Sequence, residues 1–130
     1  MIIFQEFSFQ EFVNWIIMHE IRIAEDLSSI VLQTARKENL VKVTKVSISF
    51  GQLVQIVPDI FEFAFREIVK NTIARKAKVE IEIVPVRMKC KKCGIDFQLI
   101  ENNFACNVCG STDLNIINGK ELFIKSIEGE

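Results

Sequence analysis

The sequence predicts an α+β protein: an α/β-type domain with two helices and a three-strand mixed sheet, carrying an inserted zinc-ribbon domain. Three observations point there. Two stretches with helical apolar spacing alternate with period-two strand segments, four cysteines lie as two C-x2-C pairs near the end, and a last strand-like run follows them. With 130 residues, 49% hydrophobic, 25% charged and a formal charge of −1, the chain has ordinary globular composition, which excludes disorder, collagen and fibre. A chain of this length buries about 68% of its unfolded surface, enough for one main core and a small satellite. The near-neutral balance supplies no broad basic field for non-specific nucleic-acid binding. No apolar run approaches the roughly 20 residues that span a bilayer, and Glu6, Glu11, Asn14 and His19 interrupt the first twenty.

Residues 1–17 (MIIFQEFSFQEFVNWII) contain no Lys or Arg, so they lack the positive region of a secretory signal and the basic face of a transit peptide. They read either as an extra helix or arm that packs Phe4, Phe7, Phe12 and Trp15 on the body, or as a gene-start artefact upstream of a native start at Met18, the favoured reading. From Ile21 to Glu38 the apolar residues Ala24, Leu27, Val31 and Ala35 recur at helical spacing, with Glu25, Asp26, Arg36 and Lys37 outside. Thr44, Val46, Ile48 and Phe50 then alternate with Lys45, Ser47, Ser49 and Gly51, which predicts a strand with one wet face. Pro58 opens a second helix in its first turn, with Asp59 and Glu62 at the positive end and Phe61, Ala64, Phe65, Ile68 and Val69 as the buried stripe. Val79, Ile81 and Ile83 alternate with Glu80 and Glu82 in a strand stopped by Pro85, completing a crossover unit. Asn118-Gly119 predicts a two-residue type I′ hairpin turn, with Glu121 to Ile127 as its return strand. The expected domains are thus residues 18–86 plus 120–130 as the α/β body, 87–119 as the zinc ribbon, and 1–17 as an extension.

Cys90 and Cys93 form one pair and Cys106 and Cys109 the other. Two-residue spacing lets both thiolates of a pair face one ion from a tight turn, and the second turn completes a tetrahedral S4 cage. Gly94 and Gly110 follow the pairs, where a left-handed backbone is needed. Zinc is the expected ion; a rubredoxin-like iron site uses the same geometry, and spacing alone does not separate the two. A disulfide framework fits poorly with a chain that has a larger core elsewhere and no signal peptide. A unit this small takes its fold from the metal.

Catalytic patterns are thin. The chain has one histidine and no tyrosine, and it lacks the G-x-S-x-G, G-x-G-x-x-G and P-loop motifs, so an enzyme is not expected. Glu80 and Glu82 share a solvent-facing strand side and need no chemical role. His19 stands out in Met18-His19-Glu20. With Met18 as first residue, the α-amine, the following amides and the imidazole all reach one ion, a nitrogen-rich set suited to Ni(II) or Cu(II), and Glu20 adds an oxygen.

From Met18 onward the chain resembles the HypA family, the nickel-insertion metallochaperones of [NiFe]-hydrogenase maturation. The resemblance is carried by Met18-His19-Glu20, Ser49-Phe50-Gly51-Gln52-Leu53, Val57-Pro58-Asp59-Ile60-Phe61-Glu62-Phe63-Ala64-Phe65, the two C-x2-C pairs and Gly119-Lys120-Glu121-Leu122, in the family's order. It implies that Met18, His19 and Glu20 bind Ni2+ as transferred cargo. It implies that Cys90, Cys93, Cys106 and Cys109 bind structural Zn2+. The implied partners are a HypB-type nickel GTPase and the [NiFe]-hydrogenase large-subunit precursor, in the cytoplasm, with neither nucleic acid nor membrane; urease is an alternative recipient, and both monomer and dimer remain open. The rival reading is a zinc-ribbon module that binds protein or nucleic acid. For it, Arg87, Lys89, Lys91 and Lys92 cluster around the first cysteines; against it, Asp96, Glu101 and Asp113 offset them, and Phe97 and Phe104 are the ribbon's aromatics.

Overall fold

The computed structural model describes residues 9–101 and 103–130, and side chains from His19 onward. The expected packing of Phe4, Phe7, Phe12 and Trp15 therefore lies outside the described residues.

Helix α1 (Phe9–Lys37) begins twelve residues before the predicted Ile21. Its sequence holds neither Gly nor Pro, so nothing interrupts the backbone hydrogen bonds through Met18, His19 and Glu20. Ala24, Leu27, Val31 and Ala35 form the buried stripe. The helix ends as the chain turns left-handed at Asn39 (φ 58). Leu40 N–H then donates to Ala35 O at 2.9 Å and Asn39 N–H to Arg36 O at 3.2 Å, a Schellman cap built on asparagine.

Strand β1 (Val43–Gly51) is the centre of a sheet ordered β2-β1-β6, with β2 (Lys78–Val84) and β6 (Leu122–Gly129) at the edges. Lys42 exchanges backbone hydrogen bonds with Glu130, and Gly51 N–H donates to Glu121 O at 2.7 Å, so β1 and β6 run in opposite directions. The expected wet face of β1 holds only in part. Lys45 and Ser47 are half-buried, whereas Ser49 and Gly51 are buried, because the far end of the strand enters a second packed region. Lys45 reaches across to Glu80 on β2 at 3.1 Å.

Helix α2 (Pro58–Val69) follows a single 3₁₀ turn at Gln52–Val54 and packs on α1. Phe61, Ala64, Phe65 and Val69 are buried as expected, with the Phe61 and Phe65 rings 6.0 Å apart; Ile68 lies at the exposed margin instead.

The chain divides into two compact units. One holds the chain up to Ile48, Ile56–Ile81 and Ile124–Glu130; the other holds Ser49–Gln55 and Glu82–Phe123. The second unit is thus wider than the expected 87–119. Ser49–Gln55 belongs to it because Leu53 N–H donates to Gly119 O at 2.9 Å and Val86 N–H to Gln52 Oε1 at 2.9 Å. Its sheet has the order β4-β3-β5, with β3 (Arg87–Cys90) antiparallel to both β4 (Asp96–Gln98) and β5 (Leu114–Asn118). Val86, Met88, Cys90, Phe97, Leu99 and Cys106 make its core, flanked by Leu53 and Leu114.

Asn118-Gly119 does not form the predicted hairpin turn. β5 pairs with β3 while β6 pairs with β1, so the dipeptide passes the chain from one sheet to the other. Gly119 is left-handed (φ 99) and Asn118 is not, whereas a type I′ turn needs both.

Candidate metal centre

The two cysteine turns repeat one backbone pattern. Gly94 N–H donates to Cys90 O and Gly110 N–H to Cys106 O, each at 2.9 Å; Cys90 N–H donates to Ile95 O at 2.9 Å and Cys106 N–H to Ser111 O at 2.8 Å. Closing each turn requires the left-handed glycines the sequence offered, Gly94 at φ 81 and Gly110 at φ 74. A Cβ on either would touch nothing within 4 Å, so conformation alone calls for glycine there.

The four Sγ atoms lie within 4.8 Å of one another. Cys90 and Cys109 sulfurs are 3.6 Å apart, as are those of Cys93 and Cys106. A disulfide would require about 2.05 Å. Zinc–sulfur bonds of about 2.3 Å in a tetrahedron place the sulfurs about 3.8 Å apart, so the cluster fits a tetrahedral thiolate site. Cys90 and Cys106 are buried and anchored in the unit's core, while Cys93 and Cys109 are exposed.

Backbone amides point at the buried sulfurs, from Cys93 to Cys90 Sγ at 3.4 Å and from Val108 and Cys109 to Cys106 Sγ at 3.4 and 3.5 Å. The Cys109 amide, aided by Val108, lowers the Cys106 thiol to about 6 against opposing burial. The Cys93 amide likewise holds Cys90 below its ordinary value. At Cys93 the Ile95 amide pulls downward, but desolvation of its sulfur inside the cluster and the hydrogen-bonded neighbouring sulfurs outweigh it and push the thiol up to about 12, although the residue as a whole is exposed. Four sulfurs this close resist sharing negative charge, and a divalent cation removes that resistance.

Met18, His19 and Glu20 occupy consecutive positions of α1. His19 is half-buried and Glu20 has no exposed surface; the Glu20 Oε1 accepts the Val57 backbone N–H at 2.9 Å. Sequence reasoning missed this carboxylate–backbone link, since nothing in the spacing of Glu20 and Val57 signals it. It also missed the close approach of Gly51 to Gly119, although both glycines lie in the segments that carried the resemblance.

A two-helix α+β body that continues into a four-cysteine unit defines a small metal-binding protein. The family described as hydrogenase/urease nickel incorporation, metallochaperone, HypA matches residues 18–129. The hydrogenase maturation factor HypA of Aquifex aeolicus is 38% identical over 113 residues, covering 87% of this chain and 98% of the relative. That of Caldanaerobacter subterraneus is 36% identical over 114 residues, covering 87% of this chain and 100% of the relative. The solution structure of the Ni metallochaperone HypA from Helicobacter pylori shares the fold, with a TM-score of 0.61 at 22% identity over 85% of this chain and 96% of that one. A second, a solution structure of HypA protein, aligns with a TM-score of 0.64 at 23% identity, covering 87% of this chain and 97% of that one. The chain belongs to the HypA family of nickel-incorporation metallochaperones for hydrogenase maturation.

Proposed function

We propose that this protein binds Ni(II) through Met18, His19 and Glu20 and delivers it to the [NiFe]-hydrogenase large-subunit precursor, with structural zinc on Cys90, Cys93, Cys106 and Cys109. The observation that carries the reading is the family match, which starts at Met18 and runs to residue 129. In this reading the protein transfers an ion and breaks no bond. It works in the cytoplasm with a HypB-type GTPase, and urease is the other candidate recipient named by the family description. Residues 18–86 plus 120–130 carry the nickel-binding domain and 87–119 the zinc domain, whose compact unit also takes in Ser49–Gln55 and the flanking residues out to Glu82 and Phe123. Residues 1–17 are an extension outside the nickel-binding form.

The physical basis is a difference in lability. Four thiolates in a closed cage hold zinc for structure, whereas amine, amide and imidazole donors at a helix start exchange their ion. The first four N–H groups of a helix have no intrahelical partner, so a chain starting at Met18 leaves the amides of His19 and Glu20 available to a metal. In the longer helix from Phe9 those amides face the carbonyls of the preceding turn.

A nickel titration by calorimetry of two zinc-loaded chains, one starting at Met18 and one at Met1, tests this. Stoichiometric binding in the Met18 form, lost in its His19→Ala variant with zinc content and fold intact, is the expected result. Nickel affinity unchanged by His19→Ala refutes the assignment. No binding in either form returns the zinc-ribbon interaction module to the front.

A further inference from the structure

Glu20 lies one position beyond His19 in α1, its carboxylate without exposed surface. Its hydrogen-bond partner, the Val57 N–H, is 37 positions away along the chain. Val57 caps α2 by position only: its side chain makes no capping bond, and Pro58 follows as the first helical residue. Pro58 has no N–H, so the Val57 amide is the last backbone donor before the first turn of α2, and Glu20 satisfies it.

Adjacent residues of an α-helix project about 100° apart, so the His19 imidazole and the Glu20 carboxylate do not face one ion. Nickel ligation through Glu20 Oε1 would compete with the Val57 N–H for that oxygen, and ligation through the other oxygen would bring a cation to a carboxylate already fixed on Val57. Binding through amine, amide and imidazole nitrogens leaves the link in place.

We propose that Glu20 is a positioning residue whose carboxylate holds the Met18–His19 segment to the start of α2, and that its side chain is not a nickel ligand. This rests on the nickel reading above and narrows it to nitrogen donors, the Glu20 backbone amide among them. The second carboxylate oxygen, Oε2, has no partner among the described residues. It is the atom that an oxygen-ligated arrangement would use, and the experiment is aimed at it.

The test uses the zinc-loaded chain starting at Met18, with Glu20→Gln and Glu20→Ala. Three quantities are read: nickel affinity, the visible absorption band of bound nickel, and hydrogen exchange of the Val57 amide in nickel-free protein. Glu20→Gln keeps an oxygen that accepts the Val57 N–H, so it should retain nickel within about threefold with an unchanged band. Glu20→Ala should speed Val57 exchange about tenfold or more and weaken nickel by a similar factor, with the band still unchanged. A shifted band or a tenfold loss of affinity in Glu20→Gln with normal Val57 exchange makes Glu20 a ligand and overturns the proposal. Val57 exchange unaffected by Glu20→Ala also overturns it. Failure of the parent chain to bind nickel overturns the nickel reading instead, and the Val57 exchange still judges the tether by itself.

Discussion

Replacing Gly51 by alanine should be among the most damaging single substitutions in the four-cysteine unit, for reasons of space alone. Gly51 has φ −67 and ψ 145, which any residue adopts without strain. A Cβ there would stand 2.2 Å from both the carbonyl carbon and oxygen of Gly119 and 2.6 Å from the Lys120 nitrogen. Ordinary contact starts near 3.4 Å, so the opposing backbone has to retreat by about 1 Å. That backbone is anchored by Gly51 N–H to Glu121 O at 2.7 Å and Leu53 N–H to Gly119 O at 2.9 Å. Losing two hydrogen bonds costs about 1 kcal/mol each. Overpacking adds about 1–3 kcal/mol. The expected loss is therefore about 3–5 kcal/mol, or about 10–20 °C in melting temperature for a chain of this size. Gly94→Ala is the control. Gly94 is left-handed (φ 81) with nothing within 4 Å of its would-be Cβ, so it should cost only the conformational penalty of about 1–2 kcal/mol. Urea and thermal unfolding of the zinc-loaded proteins measure both. Gly51→Ala within about 1 kcal/mol of the parent, or Gly94→Ala costing more than Gly51→Ala, would refute the close-approach argument.

Two further predictions concern the cysteines. Cys90→Ser, or removal of zinc by a chelator, should abolish amide protection in β3 while leaving α1 and α2 protected. Structural zinc is worth about 10–16 kcal/mol apparent, more than a core this small supplies; hydrogen exchange reads this, and a protected β3 in metal-free protein would contradict it. Zinc affinity should fall as pH drops, most steeply below about 6, where the Cys106 thiolate held by the Cys109 and Val108 amides takes up a proton; competition with a chromophoric chelator reads this. The sign follows from linkage. Cys106 is lowered from 9.0, so its contribution to stability is complete above pH 9.0 and is lost as pH falls through about 6. Zinc affinity unchanged between about pH 7.5 and 5 would contradict it.

Much of the molecule was legible from local pattern. The stripe from Ala24 to Ala35, the alternation through Val46 and Ile48, Pro58 at the first turn of α2, and the glycine-followed cysteine pairs each depend on residues within one element, where spacing and steric preference decide. Helix α1 starts at Phe9 and not at the expected Ile21 because no Gly or Pro stands between them to end it, so the helical backbone continues upstream beyond the apolar stripe that marks its buried face.

The sequence by itself determined which turns hold the sulfurs, which helix faces are apolar and which family the order of motifs resembles. These are properties of neighbours along the chain. Only the tertiary structure decided that Asn118-Gly119 switches sheets, that Ser49 and Gly51 are buried, and that Glu20 serves the Val57 amide. Each of these joins groups tens of residues apart, and such pairings are chosen by burial and by the need to satisfy every enclosed donor, which no local spacing records.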